Sequence, residues 1–261
     1  GEQWRDATIV VTSFPNSSIQ LPAYREAYFG SLPTALTQRG QRVVLFALYA
    51  KRALSHILAL RRVSQGLPVV PQEAYLTWPD LLACGARALI QWRKRFPYRE
   101  PVQINGISVD VLVEQEIAES CQSRSLFWHL CIAAAARRLG QRLAPARCVY
   151  PFENRAWERM WLTGLRESSP QTPCIGYQHT AFTRGHTNLV FGPQEAETIP
   201  LPDVILTAGE VVKRWLEAVG RYPQGRLQVG CALYQCPRPP VRQEREARPL
   251  RIRRVLVALS N

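Results

Sequence analysis

CVYPFENRAWERMWLTGLRE (148–167), PCIGYQHT (173–180), LPDVILTAGEVVKRWLEAVG (201–220) and GRLQVGCALY (225–234) decide how this chain folds. Each contains a short apolar run. Three of the runs end in polar residues: Glu153 and Asn154, Gln178 and His179, and Thr207 through Glu210. Short apolar runs that alternate with helical patterns are the mark of a parallel sheet. The carboxyl ends of such strands open on a common crevice, where ligands bind. Three successive polar loops at strand ends therefore predict one site.

The same alternation extends towards both ends. Strands are expected near 7–13, 42–48, 146–150, 173–177, 203–207 and 226–230, with a short additional strand at 68–70. Helices are expected over 24–39, 51–63, 78–96, 109–119, 125–139, 154–167 and 209–219, and a long loop over 178–200. Gly40 and Gly66 fit helix C-terminal stops. The helix over 125–139 is apolar on most of its surface and is expected to be central and buried. The fold class is α/β, a doubly wound parallel sheet filling residues 1–234. Residues 235–250 are rich in Pro and charge and read as a linker. An apolar run at 251–259 then restarts a strand. It predicts the opening of a second domain over 251–261, or an extra strand at the edge of the first sheet.

The chain has 261 residues, 46% hydrophobic and 20% charged, which supports a buried core. Its net charge is +13, and all but three of its 33 basic residues (Lys51, Lys94 and Lys213) are arginine. Arginine suits planar recognition of phosphate, so an anionic partner is one reading. Arginine-biased composition on solvated faces is the other. WRKRFPYR (92–99) reads either as a basic-aromatic contact surface or as a solvated helix end. Seven cysteines without a CxxC pair, several of them in apolar runs, predict a reducing, cytoplasmic setting without zinc. The polar start GEQWRD predicts no secretory leader. No apolar run approaches a membrane span.

His179 is the sharpest candidate for chemistry. At a strand's carboxyl end an imidazole can take a proton from a hydroxyl, or it can be a buried ring bonded to a backbone carbonyl. Glu153 can act as a base, or it can cap the following helix. Asn154 and Arg155 add donors beside Glu153, and Gln178 adds a polar group beside His179. Thr207, Gly209 and Glu210 join a strand to a helix, an arrangement that binds anions or simply caps. Asn16 and Ser17 follow the first strand, and Arg184 and His186 lie in the long loop. His56 and His129 are expected to be structural; Trp157 and Trp161, which share a helix face, read as core, with a sugar-stacking platform as the alternative. No metal is expected, because the histidines have no carboxylate or Cys at ligand spacing. No GxGxxG, Walker, GxSxG or HExxH motif is present.

YPFENRAWERMWLTGLRE, IGYQHT, LPDVILTAGEVVKRWLEAVG and LQVGCALY resemble the N-terminal half of bacterial surface-carbohydrate biosynthesis proteins of GT-B glycosyltransferase-like architecture. AYFGSLPTALTQRGQRVVLFAL (27–48) is similar to that group's early helix–strand unit. The resemblance spans most of 7–234 and is weaker over 65–125. It implies a Rossmann-like N-terminal domain that holds the acceptor. A second domain beyond this sequence would hold most of the nucleotide sugar. Glu153, Asn154, Gln178 and His179 would then face the cleft between the two.

The implied function is sugar transfer from a nucleotide sugar to O-antigen, capsule or a related glycan, free or lipid-linked. The nucleotide sugar is a substrate, and no cofactor is expected. His179 is the first choice of base and Glu153 the second. An anionic membrane surface is an expected further partner, giving peripheral attachment at the inner membrane. A nucleotide-sugar epimerase of the same architecture is the enzymatic alternative. A basic module for anionic lipid or nucleic acid is the non-enzymatic one, although no specific nucleic-acid motif is present.

Overall fold

The computed structural model describes residues 4–12, 26, 28–48, 66–93, 101–179 and 186–233. The expectations for Asn16, Ser17, Arg184, the helix over 51–63, the linker 235–250 and the strand at 251–259 lie outside these residues.

Seven parallel strands form one sheet: β1 (Thr8–Thr12), β2 (Val43–Ala47), β3 (Val69–Pro71), β6 (Arg147–Pro151), β7 (Cys174–Gln178), β8 (Val204–Thr207) and β9 (Leu227–Val229). The order across the sheet is β3-β2-β1-β6-β7-β8-β9. The chain thus winds outward from β1 to β3, returns to the centre at β6, and winds outward again to β9. This is the Rossmann-like doubly wound arrangement, and the winding reverses between β1 and β6. Every residue of β1 and β2 is buried, as expected for parallel strands covered on both faces. Ile9 and Val11 join a core built with the helices that precede and follow β6. Val10 points the other way, into a second core with Phe29, Leu32 and Leu36.

Helices α1 (Leu32–Gln38), α2 (Trp78–Arg93), α3 (Asp110–Gln122), α4 (Arg124–Leu143), α5 (Ala156–Ser168), α6 (Glu195–Thr198) and α7 (Glu210–Ala218) fill the connections. The helix expected over 24–39 is shorter. The Glu26 carboxylate accepts the amides of Tyr28 and Phe29 at 2.6 Å each. Glu26 and Gly30 exchange backbone hydrogen bonds, and Gly30 adopts a left-handed φ of 55°. The segment therefore turns instead of coiling, and α1 starts at Leu32 with Pro33 in its first turn, where no amide partner is lost.

A small antiparallel hairpin, β4 (Gln103–Ile104) and β5 (Ile107–Ser108), was not expected. Its turn is Asn105-Gly106, both with positive φ, the pairing that tight hairpins prefer. Helix α4 is longer than expected and only partly central. Cys131, Ile132, Ala135, Ala136 and Leu139 are fully buried, while Trp128 is 44% exposed. Its buried half lies on α5 at very close range, since a Cβ on Gly164 would overlap the Ala133 backbone. Trp161 is buried in the same core and donates its indole N–H to Cys148 Sγ at 3.2 Å. None of the described helices is long and apolar enough to cross a membrane.

Candidate functional site

The carboxyl ends of β6, β7 and β8 lie side by side, with Pro151 opposite Tyr177 and Gln178 opposite Thr207. They sit next to the β1–β6 reversal, where an open α/β sheet leaves a crevice. A cleft of about 460 Å³ occupies this position, lined by Tyr28, His129, Pro151, Glu153, Arg155, Ala156, Trp157 and His179.

The loop from β6 to α5 shapes one wall. Its anchor is Glu158, in the first turn of α5 and 1% exposed. Glu158 accepts the backbone amides of Glu153 and Asn154 at 2.9 Å each, groups that would otherwise be unsatisfied ahead of a helix. Glu158, and not Glu153, thus performs the capping. Burial pushes the Glu158 carboxyl up to about 8, against the opposing effect of these amides. Asn154 takes a left-handed φ of 56°, which Asn tolerates. Its side chain is turned away from the cleft lining: Nδ2 donates to the Asn188 carbonyl at 2.6 Å, and Oδ1 accepts from Arg159 Nε at 3.2 Å. Asn188 donates in return to the Glu153 carbonyl. The two loops are therefore tied together beneath the site.

With its amide taken by Glu158, Glu153 directs its carboxylate into the cleft. One oxygen accepts from Arg155 Nε at 3.3 Å. The other lies 3.6 Å from His179 Nε2. The His179 side chain is 9% exposed and that of Glu153 is 32% exposed. Tyr28 packs on the imidazole with ring centroids 4.0 Å apart. His179 Nδ1 is buried, so Nε2 is the nitrogen on the Glu153 side. Burial lowers the imidazole pKa, and the Glu153 charge and the Tyr177 backbone offset part of that effect. Burial thus favours the neutral ring. A carboxylate then stands ready to stabilise the cation formed when Nε2 takes a proton.

The other predicted residues lie elsewhere. Gln178 and Thr207 are fully buried at the strand ends. The Thr207 hydroxyl lies 3.1 Å from the Gly209 carbonyl and 3.3 Å from that of Gln228. Gly209 is an extended N-cap of α7. Glu210 is turned to the helix surface, where its Oε1 accepts from Arg214 at 3.0 Å. None of these five residues, Asn154 included, lines the cleft.

Sequence reasoning missed the lining residues Tyr28 and His129; Arg155, read as a donor beside Glu153, lines the cleft, and so does Trp157, for which the core was the first expectation. The His129 ring comes from the half-buried start of α4, and burial lowers its pKa. Trp157 and Trp161 share a helix face but part company in the fold. Trp161 fills the core, whereas Trp157 is one turn nearer the sheet edge, packs on Tyr150 and lines the cleft. Among the described residues, no group of three or more His, Cys, Asp or Glu side chains is placed to hold a metal ion. Compared with known proteins, the chain matches no protein-family model and no curated protein.

Proposed function

We propose that the chain is a glycosyltransferase, or its acceptor-binding part, moving a sugar from a nucleotide sugar to a bacterial surface glycan. The observation that carries this reading is the Glu153–His179 pair, 3.6 Å apart in a cleft at the winding reversal of the sheet. The motif resemblance of residues 148–234 to surface-carbohydrate enzymes supports it. So do the Trp157 and Tyr28 rings, which offer flat apolar faces to a sugar.

The acceptor hydroxyl binds beside His179. As its oxygen attacks the anomeric carbon of the donor sugar, its proton passes to Nε2. The bond from that carbon to the nucleotide phosphate breaks, and the electron pair leaves with the phosphate oxygen. Glu153 stabilises the imidazolium, which later releases the proton to water. Arg155 is the one cation among the described lining residues, so charge compensation for the departing diphosphate falls mainly to a second domain.

The test is transfer from radiolabelled nucleotide sugars to lipid-linked and free glycan acceptors. His179→Ala lowers turnover by about 10²–10⁴-fold. Transfer that is indifferent to this substitution refutes the reading. So does interconversion of nucleotide sugars without an acceptor, which instead identifies an epimerase.

A further inference from the structure

Helix α2 is turned the wrong way round for a surface helix. Its buried side carries Asp80 and Cys84, and these pack on α4. Its large apolar residues face outward: Trp78 is 79% exposed, Leu82 73%, and Leu89, Ile90 and Trp92 about half. Spacings of three and four place Trp78, Leu82, Leu89 and Trp92 on one face. A contiguous apolar helix face left in water marks an interaction site.

We propose that this face of α2 docks on an anionic phospholipid bilayer. Three observations select that occupant. The apolar stripe begins and ends with tryptophan, the residue that favours the headgroup boundary. Arg93 is exposed on the same helix at the edge of the apolar stripe, next to Trp92, and the sequence continues Lys94-Arg95; Arg87 stands on the opposite side, beside Asp80 and Cys84. Interfacial helices combine these same two features. Finally, the net charge of +13 attracts the whole chain to an anionic surface.

The docking also has a direction. Asp80, near the start of α2, pairs with Arg138 of α4, and Cys84 packs against Cys131. The two helices are antiparallel, so the Trp92 end of α2 lies towards the first turns of α4, which supply His129 to the cleft. The bilayer-facing stripe therefore runs up to the cleft end of the molecule.

Binding is measured by sedimentation with phosphatidylcholine vesicles and with vesicles containing added phosphatidylglycerol, at low and high salt. The chain is expected to bind the anionic vesicles and to be released by salt. Arg93→Gln lowers that affinity about fivefold. Leu82→Gln with Leu89→Gln removes it by a similar factor or more, and Val211→Gln, on the exposed surface of α7, leaves it unchanged. The vesicle-induced blue shift of tryptophan emission falls in Trp78→Phe with Trp92→Phe. Equal binding to neutral and anionic vesicles overturns the proposal, as does unchanged binding of the arginine or the leucine variant. It is also overturned if the chain dimerises without lipid and the leucine variant is monomeric, because the occupant is then a second copy. The Arg93 variant alters one exposed side chain, so it decides the matter even if the leucine variant fails to fold.

Discussion

The backbone amide of Glu153 donates to the buried carboxylate of Glu158 at 2.9 Å. One acidic residue thereby closes the start of α5, and its neighbour is left to face the cleft. The division of labour rests on burial: Glu158 is 1% exposed and holds the loop amides.

Replacing Glu158 by Ala is expected to leave the amides of Glu153 and Asn154 without a partner. The cost is about 1–3 kcal/mol, read from urea unfolding. Glu158→Gln separates charge from shape. The folded pKa of about 8 lies above the ordinary 4.5, so between these values the folded state holds a proton that the unfolded state has lost. This contribution to stability is complete below about 4.5 and disappears as pH rises through about 8. Wild type should therefore lose stability relative to Glu158→Gln across that window.

The His179 imidazole should titrate below its ordinary value of 6.5, because burial dominates. The Glu153 carboxylate pulls in the opposite direction. Glu153→Gln removes that pull, so the His179 pKa falls further. Proton NMR of the ring resolves both values without reference to activity. A rise on Glu153→Gln contradicts the pairing.

Asp80 fixes α2 to α4. Its carboxylate accepts from Arg138 Nε at 3.2 Å and Nη2 at 3.1 Å, and from the amide of Thr77 at 3.0 Å. Burial alone would raise its pKa; the Thr77 and Arg138 hydrogen bonds outweigh it and hold the group below 3.8. Asp80→Asn should cost about 1–3 kcal/mol at neutral pH. A lowered folded pKa gives stability that is present above the unfolded value and lost as pH falls through the folded one. The gap between wild type and variant should thus narrow in acid, as measured by urea unfolding at pH 7 and below pH 3.8.

Gly164→Ala should destabilise through overlap with the Ala133 backbone. Backbone cannot swing aside as a long side chain can, so α5 must lift off α4. A loss of roughly 1–3 kcal/mol follows, seen as a lower unfolding midpoint. Gly209→Ala, where a Cβ meets nothing within 4 Å and the backbone is extended, is the matched control and should be nearly neutral.

The strands were legible because parallel strands leave a mark in the sequence. β1 and β2 are continuous apolar runs, and β6, β7 and β8 each end in polar residues. That property alone brought Glu153 and His179 towards one sheet edge. The segment around Glu26 misled because its apolar spacing suits a helix, while the side-chain hydrogen bonds to Tyr28 and Phe29 decide for a turn. The Asn105-Gly106 hairpin carried its signal in that dipeptide, but strands of two residues are too short to show alternation. Tyr28 and His129 had no local signal. They reach the cleft from elements far away in sequence, through packing that only the folded chain defines.

The close seating of α5 on α4 also governs how the cleft can open. His129 and Trp157 stand on helices that meet backbone to backbone at Gly164 and Ala133, so these two walls travel as one rigid piece. Glu153 and His179 are anchored to the sheet. Among the described lining residues, Tyr28 belongs to a separate turn, in which Glu26 accepts the amides of Tyr28 and Phe29 and exchanges backbone hydrogen bonds with Gly30. Any change in the width of the cleft among these walls is therefore expected to come from that turn and not from between the two helices.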